Sequence, residues 1–187
     1  KPGSGPTIRA SAVRPTPLGR CRSWSRWKDP TEKPSAKCSV TDAVIIGYGN
    51  DLRTVDGAGR WVAAQIEALE LPGVVVRSVS QLTPELALEV AGRTLVVFVD
   101  ADVDAAEVTV QRIEAHSESA KTMTHHGDPA TLLSLVPNVG ALPKSAYVVS
   151  VPATNLEIGF ELTPATQAAA GEAVALIVGL VAAAPSG

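Results

Sequence analysis

From Ala43 onward the sequence alternates between short apolar runs and stretches with helical spacing, and this alternation constrains the fold more than any other feature. Two of the runs, Ala43–Ile46 and Arg93–Val99, are almost wholly apolar, as expected of strands buried on both faces of a sheet. Strands that alternate with helices form right-handed crossovers around a mostly parallel sheet. We therefore predict an α/β domain, a three-layer α/β/α sandwich with a mostly parallel sheet of about five strands.

The apolar periodicity and the turn residues define the individual elements. The predicted strands are Ala43–Ile46, Val74–Val79, Arg93–Val99, Glu107–Ile113 and Ala146–Val151. The predicted helices are Gly59–Leu71, a segment opened by Thr83-Pro84-Glu85, Pro129–Leu135 after Asp128, and Pro164 to about Ala183 after Thr163. In the last three helices a Thr or Asp precedes a proline, which suits the N-cap and the first helical position. The polar segment Glu114–Gly127 is predicted to be a loop.

Residues 1–40 differ in composition from the rest of the chain. They have a net charge of +7 and the remainder has −10, within a total of −3. Six prolines are spread among Ser, Gly and Arg with no apolar periodicity, which is typical of disorder. We predict that residues 1–40 are a disordered, basic Pro/Arg/Ser-rich extension and that residues 41–187 form the α/β domain.

The composition argues against several functional classes. The acidic balance does not favour a nucleic-acid binder. Cys21 and Cys38 form no CxxC pair and have no histidine at ligand spacing, so a zinc site is disfavoured, and the predicted domain contains no cysteine, which fits a reducing compartment. The most apolar run, Ala173–Ala184, is shorter than the roughly 20 residues of a membrane span, and the extension lacks the apolar core of a signal peptide. We expect a cytoplasmic protein without membrane or nucleic-acid partners, and a monomer by default.

Three polar clusters follow predicted strands or precede a predicted helix. The first runs from Gly47 to Gly59, the second is Asp100-Ala101-Asp102, and the third runs from Thr124 to Asp128. In parallel α/β sheets, ligands bind at the carboxyl ends of the strands. The topology therefore predicts that the three clusters meet at one edge of the sheet.

The acidic and imidazole side chains in these clusters form an N/O ligand set. Asp56 and Asp100, with an imidazole from His125 or His126, would suit a borderline divalent ion such as nickel, zinc or non-haem iron, or they could do acid–base work. Taken singly, each has a structural alternative: a helix cap, a strand-end turn residue and a solvated loop histidine. A Ser–His–Asp triad is less plausible because no GxSxG elbow is present, and the glycines do not match the GxGxxG of a dinucleotide site.

The same clusters carry a family resemblance. The run GYGNDLRTVDGAG at residues 47–59 resembles the GxGNxLxxD(D/E)GxG signature of the nickel–iron hydrogenase-maturation endopeptidases. VVFVDA at 96–101 is similar to the family's strand ending in Asp-Ala, and THHGDPATLL at 124–133 to its histidine loop and following helix. GFELTP at 159–164 resembles the Gly-x-x-Leu-(Ser/Thr)-Pro entry to its last helix. The match spans about Ala43 to Ala183.

The resemblance implies a five-stranded α/β sandwich that removes a C-terminal extension from the hydrogenase large-subunit precursor after nickel insertion. In the family, the metal-binding trio corresponds to Asp56, Asp100 and His125. The nickel is contributed by the substrate, and no intrinsic cofactor is expected. Further loop residues of the first motif are Gly47, Gly49, Asn50 and Gly57. No residue is assigned as a nucleophile.

Two features leave alternatives open. Val55 occupies the position where the family usually has a first acid, so the second interpretation is a catalytically weak or inactive nickel-sensing, chaperone-like binder of the same precursor. His126 lies beside His125, although the spacing to Leu132-Leu133 favours His125 as the ligand. A third interpretation, a phosphate cradle in the glycine-rich segment, is disfavoured because Asp51 and Asp56 would repel phosphate.

Overall fold

A computed structural model of the protein describes residues 7–9, 41–49, 57–115, 128–153 and 162–185. Its strands are β1 (Thr7–Arg9), β2 (Ala43–Tyr48), β3 (Val74–Val79), β4 (Leu95–Asp102), β5 (Thr109–Ile113) and β6 (Ser145–Pro152). Its helices are α1 (Ala58–Ala68), α2 (Leu86–Val90), α3 (Pro129–Leu135), which continues into a 3₁₀ turn at Val136–Asn138, and α4 (Pro164–Ala183).

The strands form one mixed sheet in the order β1-β5-β6-β4-β2-β3. The four strands β3, β2, β4 and β6 are parallel, whereas β5 runs antiparallel to β6. The predicted α/β fold with a mostly parallel sheet is therefore confirmed. The sixth strand, β1, pairs antiparallel with β5 and comes from the extension that was predicted to be disordered. For these three residues the prediction was wrong, and the rest of the extension lies outside the described residues.

Both faces of the sheet are covered, because β2 and β4 direct alternate apolar side chains to opposite sides. One face packs Ile45, Val97 and Val99 against α1 and α4. The other packs Ile46 and Phe98, together with neighbouring apolar side chains, against α2 and α3. All six residues of β2 are buried, as expected of a central parallel strand. This arrangement is the predicted three-layer sandwich.

Two predicted helix starts are confirmed and one is displaced. Asp128 accepts hydrogen bonds from the backbone N–H groups of α3, and the Thr163 side chain does the same at α4. At the third site the α-helix begins at Leu86, after i→i+3 bonds to the carbonyls of Thr83 and Pro84. No side-chain cap bond from Thr83 is present. The Glu85 backbone N–H and, to a smaller degree, the Thr83 hydroxyl donate to the Glu85 carboxylate and lower its pKa.

α4 has 20 residues and a mean hydropathy of 1.6, enough by length and composition alone to cross a membrane. It is therefore longer than the run Ala173–Ala184 considered in the sequence. Core helices meet the same criterion, and here α4 buries Ala170, Ala173 and Ile177 completely in the core it shares with α1 and the sheet. We conclude that α4 is an integral layer of the domain.

The strand order creates a switch point between β2 and β4. After β2 the chain adds β3 on one side, and it then crosses back to add β4 on the other side. Crevices outside the carboxyl ends of such strands are the usual ligand sites of open α/β sheets. Here the two strand ends place Tyr48 and Asp100 beside each other, since Gly47 pairs with Val99 in the register.

Candidate functional site

Two glycines of the first motif allow α1 to approach the sheet at the switch point. A Cβ on Gly47 would lie 2.7 Å from the Cβ of Ala63 and would also overlap the Gly59 carbonyl. A Cβ on Gly59 would lie 2.7 Å from the Tyr48 carbonyl oxygen and would overlap the Val99 carbonyl. Each contact is too close for any side chain. The start of α1 is therefore held directly against the ends of β2 and β4.

The other two described motif glycines have different local roles. Gly49 has a φ of 143°, which L side chains rarely adopt, and its N–H donates to the Val79 carbonyl at 3.3 Å. Gly57 has an ordinary φ of −74° and precedes α1, where its carbonyl accepts a hydrogen bond from the Trp61 N–H at 2.8 Å. The glycine-rich pattern thus turns the chain out of β2 and starts the next helix.

A polar cluster lies on the opposite face of the same strand ends. Tyr48 is 8% exposed and packs in the α2/α3 core, on the same side of β2 as Ile46. Asp100 follows Phe98 by two residues in β4, so the strand alternation directs its side chain to that face as well. The Tyr48 hydroxyl donates a hydrogen bond to the Asp100 carboxylate. We call Tyr48, Asp100 and Asp128 the strand-end cluster.

The electrostatics of this cluster strongly favour a neutral tyrosine. Burial raises the pKa of Tyr48 far above the ordinary value, because the phenolate would lose its hydration. The negative charge of Asp100, the hydrogen bond to it and the charge of Asp128 raise the pKa further. The phenol therefore stays protonated and acts as a permanent hydrogen-bond donor at neutral pH.

Asp100 is partly exposed at the edge of the sheet and keeps acceptor capacity. Its Oδ1 accepts a hydrogen bond from the Ala101 N–H at 2.9 Å, in addition to the bond from Tyr48. A carboxylate has two oxygens and about four lone-pair sites. The group can therefore be oriented by protein donors and still bind a cation from outside.

Asp128 has a structural role that occupies both of its oxygens. The N–H groups of Ala130 and Thr131 donate to it at 3.2 Å, and the Thr131 hydroxyl donates at 2.9 Å. These bonds cap α3, whose buried residues Leu132 and Leu133 lie in the same core as Tyr48. Asp128 thus anchors the start of α3 near the end of β2.

The sequence-predicted site residues are only partly within the described chain. Asp100 lies at the switch point, as predicted, whereas Asp56, His125 and Asn50 lie outside the described residues. Within the described ranges, no group of three or more His, Cys, Asp or Glu side chains could hold a metal ion. The trio therefore remains a prediction, as does the preference for His125 over His126.

No role was predicted for Tyr48, and only a capping role was predicted for Asp128. The available signal for Tyr48 was its spacing of two from Ile46, which puts it on the same face of β2 as that buried residue. Its contact with Asp100 depends on the register between β2 and β4, which one sequence does not specify.

Comparison with known proteins places this geometry in a known fold. No family model matches the chain, and no curated protein matches it. Among solved structures, the hydrogenase maturating endopeptidase HybD from E. coli matches with a TM-score of 0.58 and 21% identity over 75% of this chain and 92% of that one. The [NiFe] hydrogenase maturation protease HycI from Thermococcus kodakarensis matches with a TM-score of 0.58 and 20% identity, over 78% and 95% of the two chains.

The hydrogenase 2 maturation peptidase of a Thaumarchaeota archaeon matches with a TM-score of 0.56 and 23% identity, over 75% of this chain and 98% of that chain. This chain has the hydrogenase maturation protease fold. The resemblance stated from the motifs is thus confirmed for the fold, and the match covers nearly the whole of each solved chain.

Proposed function

We propose that this protein is a hydrolase, an endopeptidase that removes the C-terminal extension of a nickel–iron hydrogenase large-subunit precursor after nickel insertion. The observation that carries the proposal is the position of Asp100 at the switch point of a fold shared with hydrogenase maturation endopeptidases. The same aspartate belongs to a sequence motif that resembles those enzymes. Fold and motif support the same activity independently.

The chain connections also support a site shared by Asp56, Asp100 and His125. Asp56 is bonded directly to Gly57, which precedes the helix that Gly59 holds against the Val99 carbonyl. His125 lies three residues before Asp128 in the sequence, and Asp128 is close enough to Tyr48 for its charge to raise the pKa of the phenol. These sequence connections to residues at the switch point support the trio.

The proposed chemistry follows from an incomplete ligand set. Two carboxylates and one imidazole suit nickel but leave coordination positions open, so they would complete the coordination of an ion already held by the substrate. We propose that the protein has no resident metal and that it recognises the nickel of the loaded precursor. Docking on the ion would hold the scissile bond near it at high effective concentration. The ion would then supply Lewis acidity for peptide hydrolysis.

A second candidate function rests on Val55. An acid at that position is usual in the motif that this chain resembles, and an outer carboxylate commonly orients a metal ligand. A chain that lacks it could bind the nickel-loaded precursor without cleaving it, as a sensor or chaperone-like factor. Restoring an acid with Val55→Asp would then create or raise cleavage activity.

We further propose that the precursor is the partner, that the protein acts as a monomer in the cytoplasm, and that it does not use nucleic acid or membrane as a partner. The overall negative charge is in keeping with the absence of nucleic-acid binding. Sedimentation of the purified protein tests the monomer, and fractionation of cells tests the location.

The activity is tested by mass spectrometry of the precursor, prepared with and without nickel and incubated with the protein. We expect loss of a C-terminal peptide only from the nickel-loaded precursor, and no loss with Asp56→Ala or His125→Ala. Gly171→Ala, on an exposed position of α4, serves as the matched control with unchanged cleavage. Nickel-dependent binding without cleavage by the wild type would favour the second candidate. Neither binding nor cleavage would refute both.

A further inference from the structure

Tyr48, the last residue of β2, and Asp100, two residues before the end of β4, lie side by side on two neighbouring parallel strands. Gly47 of β2 pairs with Val99 of β4, so the next residue of each strand lies beside the other at the switch point. Both side chains point to the α2/α3 face, where the phenol ring packs among apolar side chains. The hydroxyl at the end of that ring bonds the Asp100 carboxylate.

We propose that Tyr48 is a positioning residue, which sets the orientation of the Asp100 carboxylate toward the nickel carried by the substrate. The inference deepens the proposed function and rests on it. Tyr48 itself does not touch the ion. Its ring is held in place by the surrounding core, and its hydroxyl bond restricts the motion of the partly exposed Asp100 side chain.

Two donors together determine how the carboxylate lies. The Ala101 N–H bonds Oδ1 from the backbone of β4, and the Tyr48 hydroxyl bonds the group from the neighbouring strand. Donors from two directions restrict rotation about the terminal torsion, which is otherwise broad for aspartate. Outer partners of this kind typically change metal affinity by about 10–100-fold when they are removed.

The surroundings make the tyrosine hydroxyl a dependable donor. It is buried beside two carboxylates, Asp100 and Asp128, and it hydrogen-bonds the first, whereas the second accepts three hydrogen bonds from α3 and acts on the phenol through its charge. Asp100 is therefore the acceptor of the Tyr48 hydroxyl. A phenylalanine at this position would keep the ring in the core and remove only that bond.

The test compares binding of nickel-loaded and nickel-free precursor by the same variant. The ratio of the two affinities isolates contacts with the ion, because a general loss of structure would weaken both. The variants are Tyr48→Phe, Asp100→Ala and the double substitution. Tyr147→Phe is the matched control, since Tyr147 is the other tyrosine of the chain and packs on the α1/α4 side of β6.

We expect Tyr48→Phe to lower the nickel preference by about 10-fold or more while affinity for nickel-free precursor stays at the wild-type value. In the Asp100→Ala background the same change should have no further effect, and Tyr147→Phe should match the wild type. An undiminished nickel preference in Tyr48→Phe would overturn the positioning role and leave the proposed function intact. A wild type that neither prefers nor cleaves nickel-loaded precursor would overturn the proposed function, and the inference with it.

Discussion

The two faces of the sheet differ sharply at the ends of β2 and β4. On the α1/α4 face, Gly47 and Gly59 have no side chains, and the helix backbone lies against the strand carbonyls. On the α2/α3 face, Tyr48 and Asp100 extend polar groups that meet near the start of α3. Gly47 and Tyr48 are consecutive residues, so the chain switches from one role to the other within a single peptide unit.

This difference shows that the two faces of the sheet at the switch point meet two separate physical requirements. The glycines allow close backbone approach, and their replacement should affect folding of the free protein. The strand-end cluster arranges charge and hydrogen bonds, and its replacement should affect stability less. Substitutions at the two sets of residues should therefore differ in their effect on the free energy of unfolding.

The largest effect is expected from Gly59→Ala. Its Cβ would lie 2.7 Å from the Tyr48 carbonyl oxygen and would overlap the Val99 carbonyl, neither of which can move without distorting a strand. The free energy of unfolding should fall by about 3 kcal/mol or more, since overpacking against backbone is hard to relieve. Denaturant titration followed by circular dichroism measures the change.

The matched control is Gly171→Ala in α4, where an added Cβ would meet nothing within 4 Å. Because alanine is the better helix former, this variant should gain about 0.5–1 kcal/mol. Equal stability of the two variants would show that α1 does not pack as closely as the comparison of the two faces requires.

A smaller loss in the free energy of unfolding is expected from Asp128→Ala, on the α2/α3 face of the sheet. The substitution removes the acceptor for the Ala130 and Thr131 N–H groups at the start of α3. Loss of an N-cap costs about 0.5–2 kcal/mol, and asparagine keeps only one of the two acceptor oxygens that Asp128 uses. Thermal unfolding should therefore rank the wild type above Asp128→Asn, and Asp128→Asn above Asp128→Ala. If all three unfold alike, the cap does not stabilise α3.

The smallest effect on stability is the one that Tyr48 should cause at alkaline pH. The pKa of Tyr48 in the folded protein lies above its unfolded value of about 10. The contribution of the neutral phenol to the free energy of unfolding is therefore fully present below pH 10 and is lost as the pH rises further. By linkage, the wild type should lose about 1 kcal/mol between pH 10 and 11 through this group. Tyr48→Phe should lack that component, and Tyr147→Phe serves as the control. Parallel pH profiles for the wild type and Tyr48→Phe would contradict the burial of an uncharged phenol.

The parts of the fold with local signals could be predicted from the sequence. The bounds of β3 and α3 match the prediction, because the apolar run and the Asp-Pro cap are contained within each segment. α2 begins later than predicted because its first turn has i→i+3 bonds to the Thr83 and Pro84 carbonyls, a geometry that a Thr-Pro pair does not reveal. β1 was missed because three residues have no periodicity and their partner strand lies about one hundred residues away.

The candidate site divides in the same way. Asp100 follows an apolar strand, so both its place at the strand end and its nearness to the first motif could be predicted. The contact between Tyr48 and Asp100 could not, because it depends on which strands are neighbours and on their exact register. Asp56 and His125, which lie outside the described residues, stay predictions of the motif.

The central claim is that Asp100 binds nickel carried by the precursor, and the most direct measurement is the rate of nickel-dependent precursor cleavage by Asp100→Asn. The amide keeps the shape of the side chain and an acceptor for the Ala101 N–H but loses the charge. We predict an unfolding midpoint close to that of the wild type and a cleavage rate lower by about 100-fold or more, beyond the loss typical of an outer partner. A folded variant that cleaves nickel-loaded precursor at the wild-type rate would contradict the account.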